Sequence, residues 1–299
     1  MKRQILTGII ALFGIATLYA QTSYEMVVEK TDGTKVSFKT NEVKQTYFQE
    51  AGNNTETYQG AKRIFGNALL ASIYNETDNI TEAWTYDSNG YPSKITSTSS
   101  SRNRSFLPSY ADGQVIVKRY DGDTFKSQFT VTIGSNGYAS KVEFVDDKGN
   151  SEACTLTYNS DEQLSTITWG SDNVIQLTYS DGDVIRVNNN GSTYDVAYET
   201  TTQSKILNAG SFLLWDEMLH VDLDDLQELH FFGLLGKATK HLPLSYVRYG
   251  SSSTSYHTNI YETDSNGRVT IFTKTTRYVY SDNSESTSNG DVLRITWNE

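Results

Sequence analysis

Hydrophobic positions recur at every second residue along most of this chain, and short clusters of Asn, Asp, Gly and Ser interrupt them. Ile80, Trp84 and Tyr86 fall on one face of an extended segment, and Thr81, Ala83 and Thr85 fall on the other. Ile175, Leu177 and Tyr179 oppose Gln176, Thr178 and Ser180 in the same way. This period of two predicts half-buried strands. Turns are predicted at Asp87–Gly90, Ser135–Gly137, Asn159–Glu162, Asp181–Asp183 and Asp264–Gly267. Asn89-Gly90, Asn136-Gly137 and Asn266-Gly267 supply residues suited to a left-handed turn backbone. The pattern as a whole predicts a mostly β fold. Its strands form an antiparallel meander that builds a curved or barrel-like sheet.

The N-terminal residues 24–39 read as a separate hairpin, with Met26, Val28, Val36 and Phe38 alternating around Asp32-Gly33. Residues 41–48 follow, with Val43, Tyr47 and Phe48 able to dock on it, and residues 51–60 read as a polar linker. The expected organisation is therefore a 1–20 leader, a 21–50 hairpin module, a 51–60 linker and a 61–299 β domain. The turn motif recurs unevenly: Gly90 and Gly137 are 47 residues apart, and Gly137 and Gly267 are 130 apart. A solenoid or propeller would hold a fixed period.

One segment departs from the period of two. Between residues 204 and 243, Phe212, Trp215 and Leu219, then Leu226, Leu229 and Phe232, arrive at helical spacing. Asp222, Asp224 and Asp225 stand where a helix dipole favours them, and Gly236 and Pro243 punctuate the end. This predicts a short two-helix insert at about 205–236 that covers an end or edge of the sheet. Strands resume at Leu244, then at 254–262, 267–280 and 291–297.

The first twenty residues change the setting. Lys2 and Arg3 precede an apolar run from Ile5 to Ala16, and Ala20 offers a small residue before Gln21. This is the layout of a secretory signal cleaved between Ala20 and Gln21. The apolar run is shorter than the ~20 residues of a membrane span. No cysteine follows it, so no lipid anchor is expected. Cleavage would move the net charge from −11 to −13. Phosphate backbones repel a chain this acidic, so nucleic acid is excluded as a partner. The single cysteine, Cys154, cannot form an internal disulfide and reads as a core filler.

The segment GLLGKATKHLP (233–243), set between Y-x-x-x-G hairpins and behind an export signal, resembles an uncharacterised family of secreted Bacteroidetes-type proteins. That family is a domain of unknown function with a porin-like β fold. Gly233, Leu234, Leu235, Gly236, Lys237, Lys240, Leu242 and Pro243 carry the resemblance, together with hairpins such as WTYDSNGYPSKI. The hairpins are also distantly similar to the tyrosine–aspartate repeats of large bacterial surface proteins. The N-terminal hairpin is similar to a short module found at the start of secreted proteins from the same bacteria. The resemblance spans roughly residues 60–299. It implies a fold and an envelope or extracellular location, and it carries no activity, cofactor or catalytic residue.

Candidate chemistry is sparse. His220, His230 and His241 are spaced by ten and eleven residues, unlike the i, i+4 pair of a helical zinc site. The Asp-rich turns at 121–123, 146–150 and 181–183 lack the spaced ligands of a calcium loop. No nucleophile elbow, phosphate loop or dinucleotide fingerprint is present. Trp84 and Trp169 share faces with apolar neighbours and read as core rather than as sugar platforms. No catalytic, metal or cofactor residue is assigned.

Three readings stand. The first is an exported, soluble binding or structural module, periplasmic, surface-bound or extracellular. The second is a small outer-membrane barrel, the only case in which membrane contact is expected. The third is a glycan- or peptide-acting hydrolase. Strands with only two or three apolar residues fall short of the band a lipid-facing strand of ~9–11 residues requires. The direction in which Trp84, Tyr86, Ile175 and Leu177 point separates the first two readings.

Overall fold

The computed structural model describes residues 25–29, 35–39, 62–65, 68–111, 113–170, 173–210, 226–250 and 252–298. The chain divides into two compact units, Met1–Ala51 and Gly52–Glu299. In the first, β1 (Glu25–Glu29) pairs antiparallel with β2 (Lys35–Lys39), and Met26 lies opposite Phe38 and Val28 opposite Val36. The segments read as an export signal (1–20), a docking segment (41–48) and a linker (51–60) lie outside the described residues.

The second unit begins with one helical turn, α1 (Lys62–Phe65), and continues through sixteen strands. These are β3 (Leu70–Asn75), β4 (Ile80–Tyr86), β5 (Pro92–Thr98), β6 (Asn103–Ala111), β7 (Gln114–Asp121), β8 (Thr124–Ile133), β9 (Ala139–Asp146) and β10 (Ser151–Tyr158). They continue as β11 (Leu164–Trp169), β12 (Asn173–Ser180), β13 (Asp183–Asn189), β14 (Ser192–Ala197), β15 (Ser245–Tyr249), β16 (Ser253–Thr263), β17 (Val269–Tyr280) and β18 (Glu285–Trp297). Each strand pairs with its sequence neighbour, and β18 pairs with β3, so the meander closes into an antiparallel barrel. Closure satisfies the edges that an open sheet would present.

The alternation fixes what each face of this wall meets. Ile95, Phe129, Val131, Ile167 and Ile175 are all at 0% exposure. Trp84 and Leu177 are buried too, and Tyr86 packs partly buried against the same core. A single-layered wall can bury such side chains only on its inner side. The opposite face of the same strands carries Thr85, Lys94, Lys118, Lys141, Thr155, Gln176 and Arg186, all exposed. A round barrel of sixteen strands has room for an aqueous channel. Here side chains fill the interior.

Every even-numbered strand from β4 to β18 runs down to the end where the chain enters the barrel. Seven of these eight finish with an aromatic side chain that fastens the open end of its own hairpin. The Tyr86 hydroxyl donates to the Leu70 carbonyl at 2.8 Å, Tyr110 to Pro92 at 2.7 Å, and Tyr158 to Ala139 at 2.8 Å. Tyr179 donates to Leu164 at 2.7 Å, Tyr198 to Val184 at 2.8 Å, and Tyr261 to Pro243 at 2.7 Å. In the last hairpin the Trp297 indole takes the role, 2.9 Å from the Val269 carbonyl. β8 ends in Ile133 and has no such staple. Burial pushes the phenols of Tyr86, Tyr179, Tyr198 and Tyr261 up, so they remain donors at neutral pH.

The two-helix insert is corrected. Its first half, with Phe212, Trp215 and Leu219, lies outside the described residues. Its second half forms one 3-10 turn, Leu226–His230, and then an extended strap through Leu244. Leu229, Phe232, Leu234 and Leu242 are fully buried. Apolar residues can mimic helical spacing when a strap buries side chains on both flanks, because irregular backbone has no period of its own.

Candidate functional site

The predicted turn residues gather at the strap end of the barrel. The Asp87 carboxylate accepts the backbone N–H groups of Asn89 and Tyr91 at 2.8 and 2.9 Å, and Gly90 closes the loop with φ of 79°. Asp264 does the same for Asn266 and Arg268, with Gly267 also at φ of 79°. At 134–138, Gly134 has no side chain to cap with, and Asn136 caps the N–H of Tyr138 instead. Gly137 there has φ of 78°. In all three turns the glycine takes the left-handed backbone, and Asn89, Asn136 and Asn266 do not. One left-handed residue suffices for a type I turn that closes on a bulge. At 159–163 Glu162 stands in the glycine place with φ of 65°.

The 233–243 segment lies across these turns. Gly236 bridges Gln163, and a Cβ there would sit 2.7 Å from the Glu162 carbonyl oxygen and 2.8 Å from the Tyr158 ring. Lys237 pairs with Glu162 at 3.0 Å, and the stem of Lys240 covers Gly182. The Pro243 carbonyl accepts from Asn259 and Tyr261. Gly233 also takes a left-handed backbone, with φ of 73°, and Leu234, Leu235 and Leu242 are buried.

The neck of the strap is clasped by Asp183, at 1% exposure. Its carboxylate accepts the His241 backbone N–H at 2.9 Å and contacts His241 Nδ1 at 2.9 Å and Lys205 Nζ at 3.0 Å. Burial pushes this carboxyl's pKa up, but the Lys205 and His241 contacts outweigh that and hold it below the usual range. Lys205 and His241 stand on either side of the 208–240 excursion, so one carboxylate fastens both arms. Asp161, Gln163, Asp181, Lys237 and Lys240 line a shallow groove of about 380 Å³ beside this clasp.

The other chemistry-bearing residues separate. His230 is buried 5.4 Å from the Phe65 ring, whereas His241 sits on the Asp183 carboxylate, and His220 lies outside the described residues. Among the described residues no group of three His, Cys, Asp or Glu could hold a metal. Cys154 is buried, and burial pushes its thiol up to about 12, which removes it as a nucleophile. Trp84 packs 4.8 Å from Phe231 of the strap, and Trp169 is buried in the core.

The opposite end of the barrel holds a cluster that sequence reasoning missed. On the inner face of β14–β17, registers place Tyr194 beside Arg248, Arg248 beside Ser255, and Ser255 beside Tyr278. One row further in, Tyr246, His257 and Thr276 are neighbours. Ser255 Oγ lies 2.9 Å from His257 Nε2, and Thr276 Oγ1 lies 3.0 Å from His257 Nδ1. The Tyr246 ring stacks on the imidazole at 4.1 Å and 10°. A serine and a histidine in hydrogen-bond reach resemble a nucleophile and base, but a threonine rather than a carboxylate holds the second ring nitrogen. This row is a buried polar floor. Above it Arg248 is exposed, its guanidinium 5.8 Å from the Tyr194 ring centroid. The available sequence signal was S-x-H-x-N in β16, where polar residues take the inward positions that apolar residues hold in other strands.

No family model and no curated protein matches this chain. Among solved structures it is similar to a porin-like protein from Bacteroides uniformis. The two share 20% identity at a TM-score of 0.60, over 76% of this chain and 96% of that one. At that identity the likeness is one of fold: this chain has a porin-like β-barrel architecture.

Proposed function

We propose that this protein is exported through the secretory pathway and works as a water-soluble, non-catalytic binding or structural module of the cell envelope or extracellular space. One observation carries this reading: the apolar face of the wall points inward, and the face with Thr, Gln, Lys and Arg points outward. A wall in lipid needs the reverse, and each Lys or Arg on a lipid face costs about 2–4 kcal/mol at the bilayer midplane. Lys94, Lys118, Lys141 and Arg186 would each incur a share of that cost according to depth. The Lys2–Ala20 layout supports export with cleavage before Gln21. The 233–243 motif supports membership of the secreted family of unknown function it resembles. The N-terminal hairpin is read as a separate module joined by the 51–60 linker.

The test is fractionation of cells producing the full chain, with N-terminal sequencing of the product. The expected result is a detergent-free soluble product that begins at Gln21. Recovery only from detergent-extracted outer membrane, with heat-modifiable migration, would establish the membrane-barrel reading instead.

A further inference from the structure

Resting on the binding-module reading, we infer that the groove between the strap and the 159–163 and 181–183 turns binds a short peptide by its two charged ends. The strap crosses these turns at two points. The Lys237 N–H donates to the Glu162 carbonyl at 3.0 Å, and the Lys240 N–H donates to the Gly182 carbonyl at 2.9 Å. The turns close the β10–β11 and β12–β13 hairpins, which stand two strand spacings, about 9–10 Å, apart. Between the crossings the groove opens over Gly182 and Ala238, with a volume of about 380 Å³. Small-ligand clefts occupy ~300–1,000 Å³, so a compact ligand fits it.

The charges at its two ends specify the ligand. At the β10–β11 end, Lys237 pairs with Glu162 at 3.0 Å, which leaves the exposed Asp161 paired with no cation among the described residues. At the β12–β13 end, Asp181 lies in the field of Lys205, and the exposed Lys240 pairs with no carboxylate among the described residues. The groove therefore offers a free carboxylate at one end and a free ammonium at the other. A peptide with unblocked ends presents the complement, its ammonium to Asp161 and its carboxylate to Lys240. Three extended residues span about 10 Å, the separation of the two turns. The floor between them keeps its shape, because the Gln163 amide donates to the Gly182 carbonyl at 2.8 Å and to the Ala238 carbonyl at 3.1 Å. Such a preformed floor lowers the ordering cost of binding.

Calorimetric titration of the purified full chain with trialanine tests this, with N-acetyl-trialanine, trialanine amide and free alanine as controls. Saturable one-to-one binding of trialanine is expected. The two blocked peptides each lose one charged end and should bind about tenfold or more weakly. Alanine carries both charges but cannot span the groove, and it should weaken by a similar factor. Lys240→Met keeps a stem over Gly182 and removes the ammonium, and Asp161→Asn keeps the shape and removes the charge. Each should weaken trialanine by about tenfold or more at an unchanged unliganded melting temperature, since both side chains are exposed and unpaired. Loss of discrimination against N-acetyl-trialanine in Asp161→Asn, and against the amide in Lys240→Met, would fix the peptide's direction. No saturable binding of trialanine, equal binding of alanine, or binding unchanged in either variant would overturn the site. The titration reads the groove whether or not the chain is exported, so its failure is distinct from a failed fractionation.

Discussion

Replacing the stapling tyrosines by phenylalanine should destabilise the barrel by an amount that can be worked out in advance. Tyr179→Phe and Tyr110→Phe each delete one hydroxyl that reaches a carbonyl at 2.7 Å. The net value of such a bond is about 0.5–1.5 kcal/mol, and stranding its buried partner costs about 1–3 kcal/mol. Because the ladder supplies these carbonyls with part of their bonding, about 1–2 kcal/mol per staple is expected. The two tyrosines stand on β12 and β6, six strands apart, so the double variant should lose about 2–4 kcal/mol by addition. Tyr249→Phe, on an exposed outer position, is the control and should stay within about 0.5 kcal/mol of the parent. Urea denaturation followed by circular dichroism reads these values as shifts in midpoint at constant slope. If both staple variants match the parent within about 0.3 kcal/mol, or if the control costs as much, then the tyrosines fill space and do not fasten hairpins.

Gly236→Ala should cost about 2–4 kcal/mol in the same assay, since it combines a left-handed backbone with a Cβ 2.7 Å from the Glu162 carbonyl; near-neutrality would show that the strap yields freely. Asp183→Asn should cost about 1.5–3 kcal/mol at neutral pH and speed proteolysis of the strap. Because the folded Asp183 pKa lies below its ordinary value of 3.8, its contribution is complete above that pH and is lost as pH falls through the folded value. The gap between parent and Asp183→Asn should therefore close in strong acid, and a constant gap would show that the carboxylate's charge is not what fastens the neck. Cys154 should resist iodoacetamide at pH 8 in the folded chain and react on unfolding, because burial lifts its thiol to about 12. Prompt labelling without unfolding would show that the wall opens there.

Much of the barrel was legible because strands obey a local rule. Alternation at Ile175, Leu177 and Tyr179 marks a wall with two different faces, and the Asp-x-x-Gly turns mark its corners. The uneven spacing of those turns also has a simple cause. The 47 residues from Gly90 to Gly137 span two hairpins, and the 130 to Gly267 include the strap. The repeating unit is one hairpin of variable length, and the tyrosine at its end keeps place better than the turn does. Strand β18 begins at Glu285 rather than near 291, because Ser286 to Asn289 are polar on both faces and carry no period. The Arg248 cluster was invisible for a different reason. Its members come from four strands, and only the cross-strand register brings Tyr194, Arg248, Ser255 and Tyr278 into a row.

The misread segment bears on the choice between lipid and water. Alternation cannot say which face of a barrel points outward, since a porin and a filled barrel share the same period. The strap breaks that symmetry. Its Leu229, Phe232, Leu234 and Leu242 are buried against the end of the lumen, where burying each large apolar side chain is worth about 1.5–3 kcal/mol. A water-filled channel would offer them nothing, and the segment would need polar residues to line it. An apolar strap whose Pro243 and Leu234 carbonyls accept from Tyr261 and Tyr158 is stable only where the interior it covers is dry. A dry interior in turn assigns the apolar face to the inside and leaves hydroxyl and charged side chains on the outer face. The composition of GLLGKATKHLP, together with the direction of Trp84, therefore supports a barrel that carries its core within itself.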